Sequence, residues 1–140
     1  MQQSLASVQD VTAERLRLER TWAVPRGIVG WLSAADHKTI GRRFIATAFG
    51  FFVLGGILAV LMRVQLALPE NTFVDPDLYN QLFSLHGTTM MFLFAVPIME
   101  AMALSLVPLM IGTREIAFPR LAAFNYWVFL FGGAMVYIAF

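Results

Sequence analysis

The sequence predicts an all-α membrane protein that crosses the bilayer three times. Of its 140 residues, 59% are hydrophobic and only 14% are charged, whereas a soluble domain usually has about 25% charged residues. The charges lie mainly at the N-terminus and between three long apolar runs, as in multi-pass membrane proteins. We predict membrane spans at about residues 42–67, 79–112 and 120–140.

The composition excludes several kinds of site and partner. The chain has no cysteine, which excludes disulfides, thiolate-bound metals, iron–sulfur clusters and cysteine nucleophiles. Its formal net charge is +1 and no basic cluster is dense, so we expect no nucleic-acid partner. Three membrane helices alone can enclose few polar functional groups, and the sequence stops at the apolar end of the third. We therefore expect an incomplete part of a larger bundle.

Residues 1–30 are predicted to form a cytoplasmic extension. Residues 11–22 have the pattern of a solvated helix, and no apolar core follows an early basic patch, which argues against a cleavable signal peptide. Residues 27–32 are apolar and carry Trp31, whose indole favours the headgroup level of a membrane. This short segment is predicted to lie on the membrane surface.

The first span contains 19 uncharged residues, 44–62, bracketed by Arg43 and Arg63. At about 1.5 Å per residue they cover about 28 Å, enough to cross the hydrocarbon core. Ser33 or Asp36 is expected to cap the helix. Two roles for Arg63 stay open, snorkelling to the interface or binding an anion or carbonyl inside the bundle. Small residues along the span predict close approach of other helices: Ala46, Gly50, Gly55, Gly56 and Ala59.

Charges on either side of this span predict its orientation. His37 lies before it, and we expect this histidine at the surface and not as a metal ligand. The same segment carries three basic residues: Lys38, Arg42 and Arg43. The following loop has only acidic charges: Glu70, Asp75 and Asp77. The positive-inside rule then places the N-terminus in the cytoplasm.

The second span, about residues 79–112, is longer than the roughly 20 residues that a crossing needs, so it tilts or projects from the membrane. Pro97 and Pro108 are predicted to kink it, because each deprives the carbonyl four residues earlier of its donor. Glu100 follows His86 by about four turns. This spacing predicts that the two side chains lie on nearly the same face, about 21 Å apart.

His86 is the only histidine in the apolar part of the chain. Three interpretations stay open: a histidine hydrogen-bonded between helices, a proton or ion relay with Glu100, and a ligand of a metal or heme. Gly87 leaves room beside the ring for a flat macrocycle, and Ser84 or Thr89 is expected to hold the second ring nitrogen. A second axial histidine has to come from outside this chain. Apolar side chains for a porphyrin shell lie nearby in sequence: Phe83, Met90, Phe92, Leu93 and Phe94.

Short motifs follow one another along the chain: Asp36-His37-Lys38-Thr39-Ile40-Gly41, Met62-Arg63, Tyr79-Asn80, Leu85-His86-Gly87, Leu106-Val107-Pro108-Leu109-Met110-Ile111-Gly112 and Ala117-Phe118-Pro119-Arg120. In order and spacing they resemble subunit I of the heme-copper oxygen reductases, the cytochrome c oxidase and quinol oxidase family, over about residues 31–140. The resemblance implies a bundle of about twelve transmembrane helices. This chain would supply the first two and most of the third.

The resemblance also implies roles for individual residues. His86 would be one axial ligand of a low-spin heme of type a or b, with its partner histidine on a later helix. Arg63 falls where the family has an arginine that hydrogen-bonds the heme periphery, and Tyr79 matches a position near this heme. Glu115 falls where the family often has an aspartate at the mouth of a proton channel, and an ion pair with Arg114 is its alternative role.

Some positions depart from the family pattern. The asparagines usual after Pro-Arg are Ala122 and Ala123 here, and Leu104 replaces another channel asparagine, so a file of water there loses hydrogen-bonding partners. Gln65 replaces an acidic residue that helps to hold a structural cation, so no metal is predicted at that position. Glu100 matches no family residue.

The implied function is that of the catalytic subunit of a terminal respiratory oxidase in the bacterial cytoplasmic membrane. Electrons would pass through the low-spin heme to a second heme and a copper on helices outside this chain, where dioxygen is reduced to water and protons cross the membrane. The implied partners are those helices, subunits II and III, lipid, and cytochrome c or quinol as donor. The alternatives are a truncated or split non-catalytic subunit without heme, and a small ion carrier that uses His86 and Glu100.

Overall fold

Three long helices form most of the structure, a computed structural model that describes residues 11–20, 27–113 and 115–140. The chain divides into two units, Met1–Ala34 and Ala35–Phe140. In the first unit, residues 11–20 form an exposed helix, α1, and α2 spans Ile28–Ser33. Residues 21 and 22, which end the helix predicted in this region, lie outside the described residues.

In the second unit, α3 (His37–Gln65) begins where Asp36 caps it. One carboxylate oxygen of Asp36 accepts hydrogen bonds from the backbone N–H and the hydroxyl of Thr39, both at 3.1 Å. This satisfies an N–H that has no partner within the first turn. Ser33, the other predicted cap, donates instead to a carbonyl of its own helix. Because the cap precedes the basic residues, α3 starts at His37 and not near residue 42.

The second span, α4, extends over Pro76–Met110 and has 35 residues. The carboxylate of Asp75 accepts a hydrogen bond of 3.2 Å from the N–H of Asp77. Pro76 occupies the first turn, where a missing N–H costs nothing and the fixed φ angle suits a helix. These residues therefore define a sharp start three residues before the predicted one.

The middle of α4 is a π-helical segment, Thr89–Ala95, which ends just before the buried Pro97. Proline has no N–H, and its ring crowds the carbonyl four residues earlier. The backbone widens here to hydrogen bonds that span five residues, including one from the N–H of Val96 to the carbonyl of Met91. The proline predicted to kink the helix is thus accommodated by a local change of helix type.

The third span, α5, covers Pro119–Ala139, and α3 packs against both α4 and α5. The helices α3 and α4 are antiparallel. Gly41, near the start of α3, lies next to Ser105 in the last part of α4. Gly55, further along α3, lies next to Thr89 in an earlier part of α4. A small core forms at the end where α3 begins: Ile40, Phe44, Ala101 and Tyr126. All three helices are long and apolar enough to cross a bilayer. The predicted fold class, an all-α membrane protein with three spans, is confirmed.

Candidate functional site

The imidazole of His86 lies half-buried on α4 and is held by the backbone of α3. Its Nδ1 atom is 2.9 Å from the carbonyl oxygen of Gly55. The prediction that Ser84 or Thr89 holds this nitrogen is wrong. Thr89 forms a hydrogen bond of 2.9 Å with the hydroxyl of Tyr137 on α5, so its side chain points to a different helix.

Glycine at position 55 allows α3 and α4 to approach closely enough for this contact. A Cβ atom there would lie 3.2 Å from Cγ2 of Thr89 and 3.1 Å from Sδ of Met90, tighter than ordinary van der Waals contact. Small residues permit such approach between membrane helices. The small-residue pattern predicted from the sequence therefore marks the contact that positions His86.

The hydrogen bond selects one form of the neutral imidazole ring. A carbonyl oxygen only accepts hydrogen bonds, so Nδ1 of His86 must carry the proton and Nε2 keeps its lone pair. Metal-bound histidines usually have this arrangement, with the second nitrogen donating to a carbonyl or carboxylate that orients the ring. Apart from its chain neighbours and the backbone of its own helix, a Cβ atom at Gly87 would meet no atom of the described residues within 4 Å. The residues around His86 therefore fit an axial heme ligand beside an open face.

The predicted apolar shell is brought together only in part. Met90 lies at the Gly55 contact, and Phe83 and Phe92 are exposed. Leu93 instead packs at α5, and the ring of Phe94 lies 4.6 Å from the ring of Phe52 on α3. The π-helical segment turns these last residues toward the neighbouring helices.

Arg63 and Tyr79 lie on the same side of His86 along the helix axes. Arg63 is exposed in the last turn of α3, about 12 Å beyond Gly55 at the α-helical rise. Tyr79 is half-buried on α4, two turns before His86 on nearly the same face, about 10.5 Å away. Because the helices are antiparallel, both side chains lie toward the end of the bundle that contains the α3–α4 loop.

Glu100 is separated from His86 by the π-helical segment. Asn125 of α5 donates a hydrogen bond to the carboxylate of Glu100, whereas His86 contacts α3. Each π-helical residue turns the side-chain direction by less than an α-helical residue does, because its hydrogen bonds span five residues. The prediction that the two side chains share a face therefore does not hold.

The opposite end of the bundle brings His37 close to two carboxylates. His37 is only 2% exposed, so the prediction of a surface histidine is wrong. A ring nitrogen of His37 and one oxygen each of Asp36 and Glu115 lie within 4.8 Å of one another. Glu115 itself is exposed. Its alternative partner, Arg114, lies outside the described residues.

Gln65 connects the end of α3 to the following loop. Its amide nitrogen donates to the carbonyl of Asn71, and its amide oxygen accepts a 2.7 Å hydrogen bond from the N–H of Val74. Asn71 in turn donates to the carbonyl of Val64 at 2.9 Å. Both polar groups of the Gln65 side-chain amide therefore bind the backbone of the loop that follows α3.

Comparison with known proteins identifies the chain's relatives. A model of the family "Cytochrome C and Quinol oxidase polypeptide I" matches residues 39–140. A Streptomyces coelicolor protein named "Putative cytochrome c oxidase subunit 1-beta" is 50% identical over 125 residues, 89% of this chain and 22% of that protein. The cytochrome c oxidase subunit 1 of Synechocystis is 49% identical over 105 residues, 75% of this chain and 19% of that protein.

The cytochrome c oxidase subunit 1 of Bacillus subtilis is 44% identical over 110 residues, 77% of this chain and 18% of that protein. The chain spans about a fifth of the length of the curated relatives it matches. The family match covers most of the chain, including all three candidate spans apart from the first two residues of α3. The chain is therefore an integral membrane protein that belongs to the cytochrome c and quinol oxidase polypeptide I family.

Proposed function

We propose that His86 is an axial ligand of a low-spin heme in a terminal respiratory oxidase. The observation that carries the proposal is the hydrogen bond from Nδ1 to the carbonyl of Gly55, which leaves Nε2 available for iron. Heme at this position would supply an iron that accepts and releases one electron. The second axial histidine would come from a helix outside this chain.

The chain's own residues orient and tune this ligand. The Gly55 carbonyl fixes the plane of the His86 ring. Because it accepts a hydrogen bond from the N–H at Nδ1, it also raises the basicity of Nε2. Glycine at position 87 has open space where a Cβ would lie, and this space next to His86 is proposed to receive the edge of the heme. The half-buried ring of Tyr79 is proposed to pack near the heme on the same face of α4.

Arg63 is proposed to hydrogen-bond the heme periphery, at a formyl group when the heme is of type a. A cation there withdraws electron density from the ring and raises its reduction potential. We expect Arg63→Gln to lower the midpoint potential of the low-spin heme in a redox titration. Arg42→Gln, on the opposite end of α3 where Arg42 donates to the carbonyl of Lys38, is the control and should leave the potential unchanged. Equal potentials in all three proteins would contradict the contact.

The assembled enzyme is proposed to be a heme-copper oxidase that reduces dioxygen to water. Its second heme and its copper would be held by further helices of subunit I, and its partners would be subunits II and III with cytochrome c or quinol as electron donor. The names of the relatives support this class. Glu115 is proposed to collect protons from the cytoplasm, since its carboxylate is exposed. The basic residues that begin α3 support a cytoplasmic N-terminus in a bacterial inner membrane.

The test is spectroscopic and uses the oxidase purified with this chain from cells grown with ¹⁵N-histidine. We expect a low-spin ferric heme whose pulsed EPR spectrum shows coupling to two imidazole nitrogens. A preparation that contains this chain but no heme supports instead a non-catalytic membrane subunit. Low-spin heme without imidazole coupling would also overturn the proposal.

A further inference from the structure

We propose that Asp36, His37 and Glu115 form a binding site for a divalent transition-metal ion of the zinc type. The site joins the start of α3 to the loop between α4 and α5, at the end of the bundle away from Arg63. It is independent of the proposed heme ligand. Three donor atoms, one from each residue, lie within 4.8 Å of one another.

The buried imidazole of His37 is the observation that points to a ligand. The residue is 2% exposed, and neither ring nitrogen forms a hydrogen bond with any part of the chain that the structure describes. Its Nδ1 is 3.7 Å from Oδ1 of Asp36, too far for a hydrogen bond. Buried polar atoms without partners are rare in folded proteins, and one explanation is an ion that occupies the space between them.

The two oxygens of Asp36 have different tasks. Oδ2 accepts both hydrogen bonds from Thr39 and caps α3. Oδ1 is the oxygen that faces His37. Because the cap fixes the carboxylate, Oδ1 is held next to the imidazole without losing its capacity to bind a cation.

Glu115 supplies the third donor from a different part of the chain. It lies in the loop that precedes α5 and its side chain is exposed, so it is free to turn toward the other two. Donors that sit about 2.0–2.2 Å from a tetrahedral zinc ion are about 3.4 Å from one another. The donors here lie within 4.8 Å of one another, so the widest pair has to close by at most about 1.4 Å. We assign that movement to the exposed Glu115 side chain, because Asp36 is held by its cap.

The donor set selects the class of ion. One imidazole and two carboxylates match zinc and similar first-row ions, whereas magnesium and calcium prefer all-oxygen sites. The two carboxylates together balance the charge of a divalent ion. Three protein ligands leave a coordination position for water.

The experiment titrates cobalt(II), a spectroscopic substitute for zinc, into the purified protein in lipid nanodiscs after chelator treatment. We expect the cobalt-edge X-ray absorption spectrum to show cobalt bound to nitrogen and oxygen ligands, with binding that saturates at one ion per chain, is removed by zinc and is unaffected by excess magnesium. Glu115→Gln should weaken binding by more than about tenfold, the lower end of what the loss of even an indirect metal contact causes. Asp77→Asn, in the loop at the other end of the bundle, should bind as the unchanged protein does.

Two further variants separate ligation from folding. Asp36→Asn keeps a good helix cap but removes the charge, so helicity should be retained while cobalt affinity falls. His37→Gln should remove the imidazole contribution from the cobalt-edge spectrum. Absence of saturable cobalt binding, or equal affinity in Glu115→Gln and the unchanged protein, would overturn the site.

Discussion

Replacing His86 with alanine in the proposed oxidase is expected to abolish the optical band of its proposed low-spin heme. The substitution removes Nε2, the only ring nitrogen left free by the hydrogen bond to Gly55. An iron with one remaining axial histidine no longer has the strong field that keeps it low-spin. The measurement is the reduced-minus-oxidised spectrum of the purified enzyme, and electron transfer from the donor should stop with the loss of the band.

A second variant separates iron ligation from helix packing. His86→Asn places an amide N–H near the position of Nδ1, so it retains the donor to Gly55 but has no nitrogen in the place of Nε2. It should lose the low-spin band as completely as His86→Ala does. Ser84→Ala, on an exposed position of the same helix, is the control and should keep the band. A low-spin band retained in His86→Asn would mean that His86 only joins the helices.

The three spans were predictable because apolar length depends on the sequence alone. Runs of about 20 apolar residues match the thickness of a bilayer core, and the structure has three helices of sufficient length and hydropathy. The ends were less predictable, because they depend on caps. Asp36 and Asp75 each bind a nearby N–H, and they extend α3 and α4 before the points where the apolar residues begin.

The positions of side chains around His86 were predicted less well, for two physical reasons. The partner of Nδ1 is the carbonyl of Gly55, and a backbone atom has no residue-specific signal beyond the small residue that lets the helices approach. The face of Glu100 was assigned from an unbroken α-helical period, and Leu93 was placed near His86 because the two are close in sequence. Pro97 indicated a disturbance, but the sequence does not say that the backbone responds with a π-helical segment.

His37 shows the limit of local reasoning most clearly. Its neighbours in sequence are polar or charged, and that pattern is typical of a solvated turn. It is nevertheless buried, and the α4–α5 loop brings Glu115 close to it. Contacts between residues separated by almost eighty positions have no periodic signature, so neither the burial nor the cluster could be read from the sequence.

The packing of α3 against α4 should fail when Gly55 is enlarged. A leucine there has to displace Thr89 and Met90, whose atoms already lie 3.1–3.2 Å from the position of its Cβ. Forcing extra atoms into a close contact typically costs about 1–3 kcal/mol. The displacement also separates His86 from the Gly55 carbonyl. We expect the Gly55→Leu variant in detergent micelles to unfold at a lower SDS fraction than the unchanged protein does. The loss of helicity is followed by circular dichroism.

Gly56→Leu is the matched control for this substitution. Within the part of the chain that the structure describes, a Cβ at Gly56 meets nothing within 4 Å beyond its chain neighbours and the backbone of α3 itself. Both substitutions replace glycine by leucine within α3, and both gain roughly the same helix propensity, about 1 kcal/mol in water. The difference between the two unfolding midpoints therefore reports the contact with Thr89 and Met90 alone. Gly55→Leu and Gly56→Leu with equal midpoints would show that α4 does not lie on Gly55, and the orientation of His86 argued from that contact would fall with it.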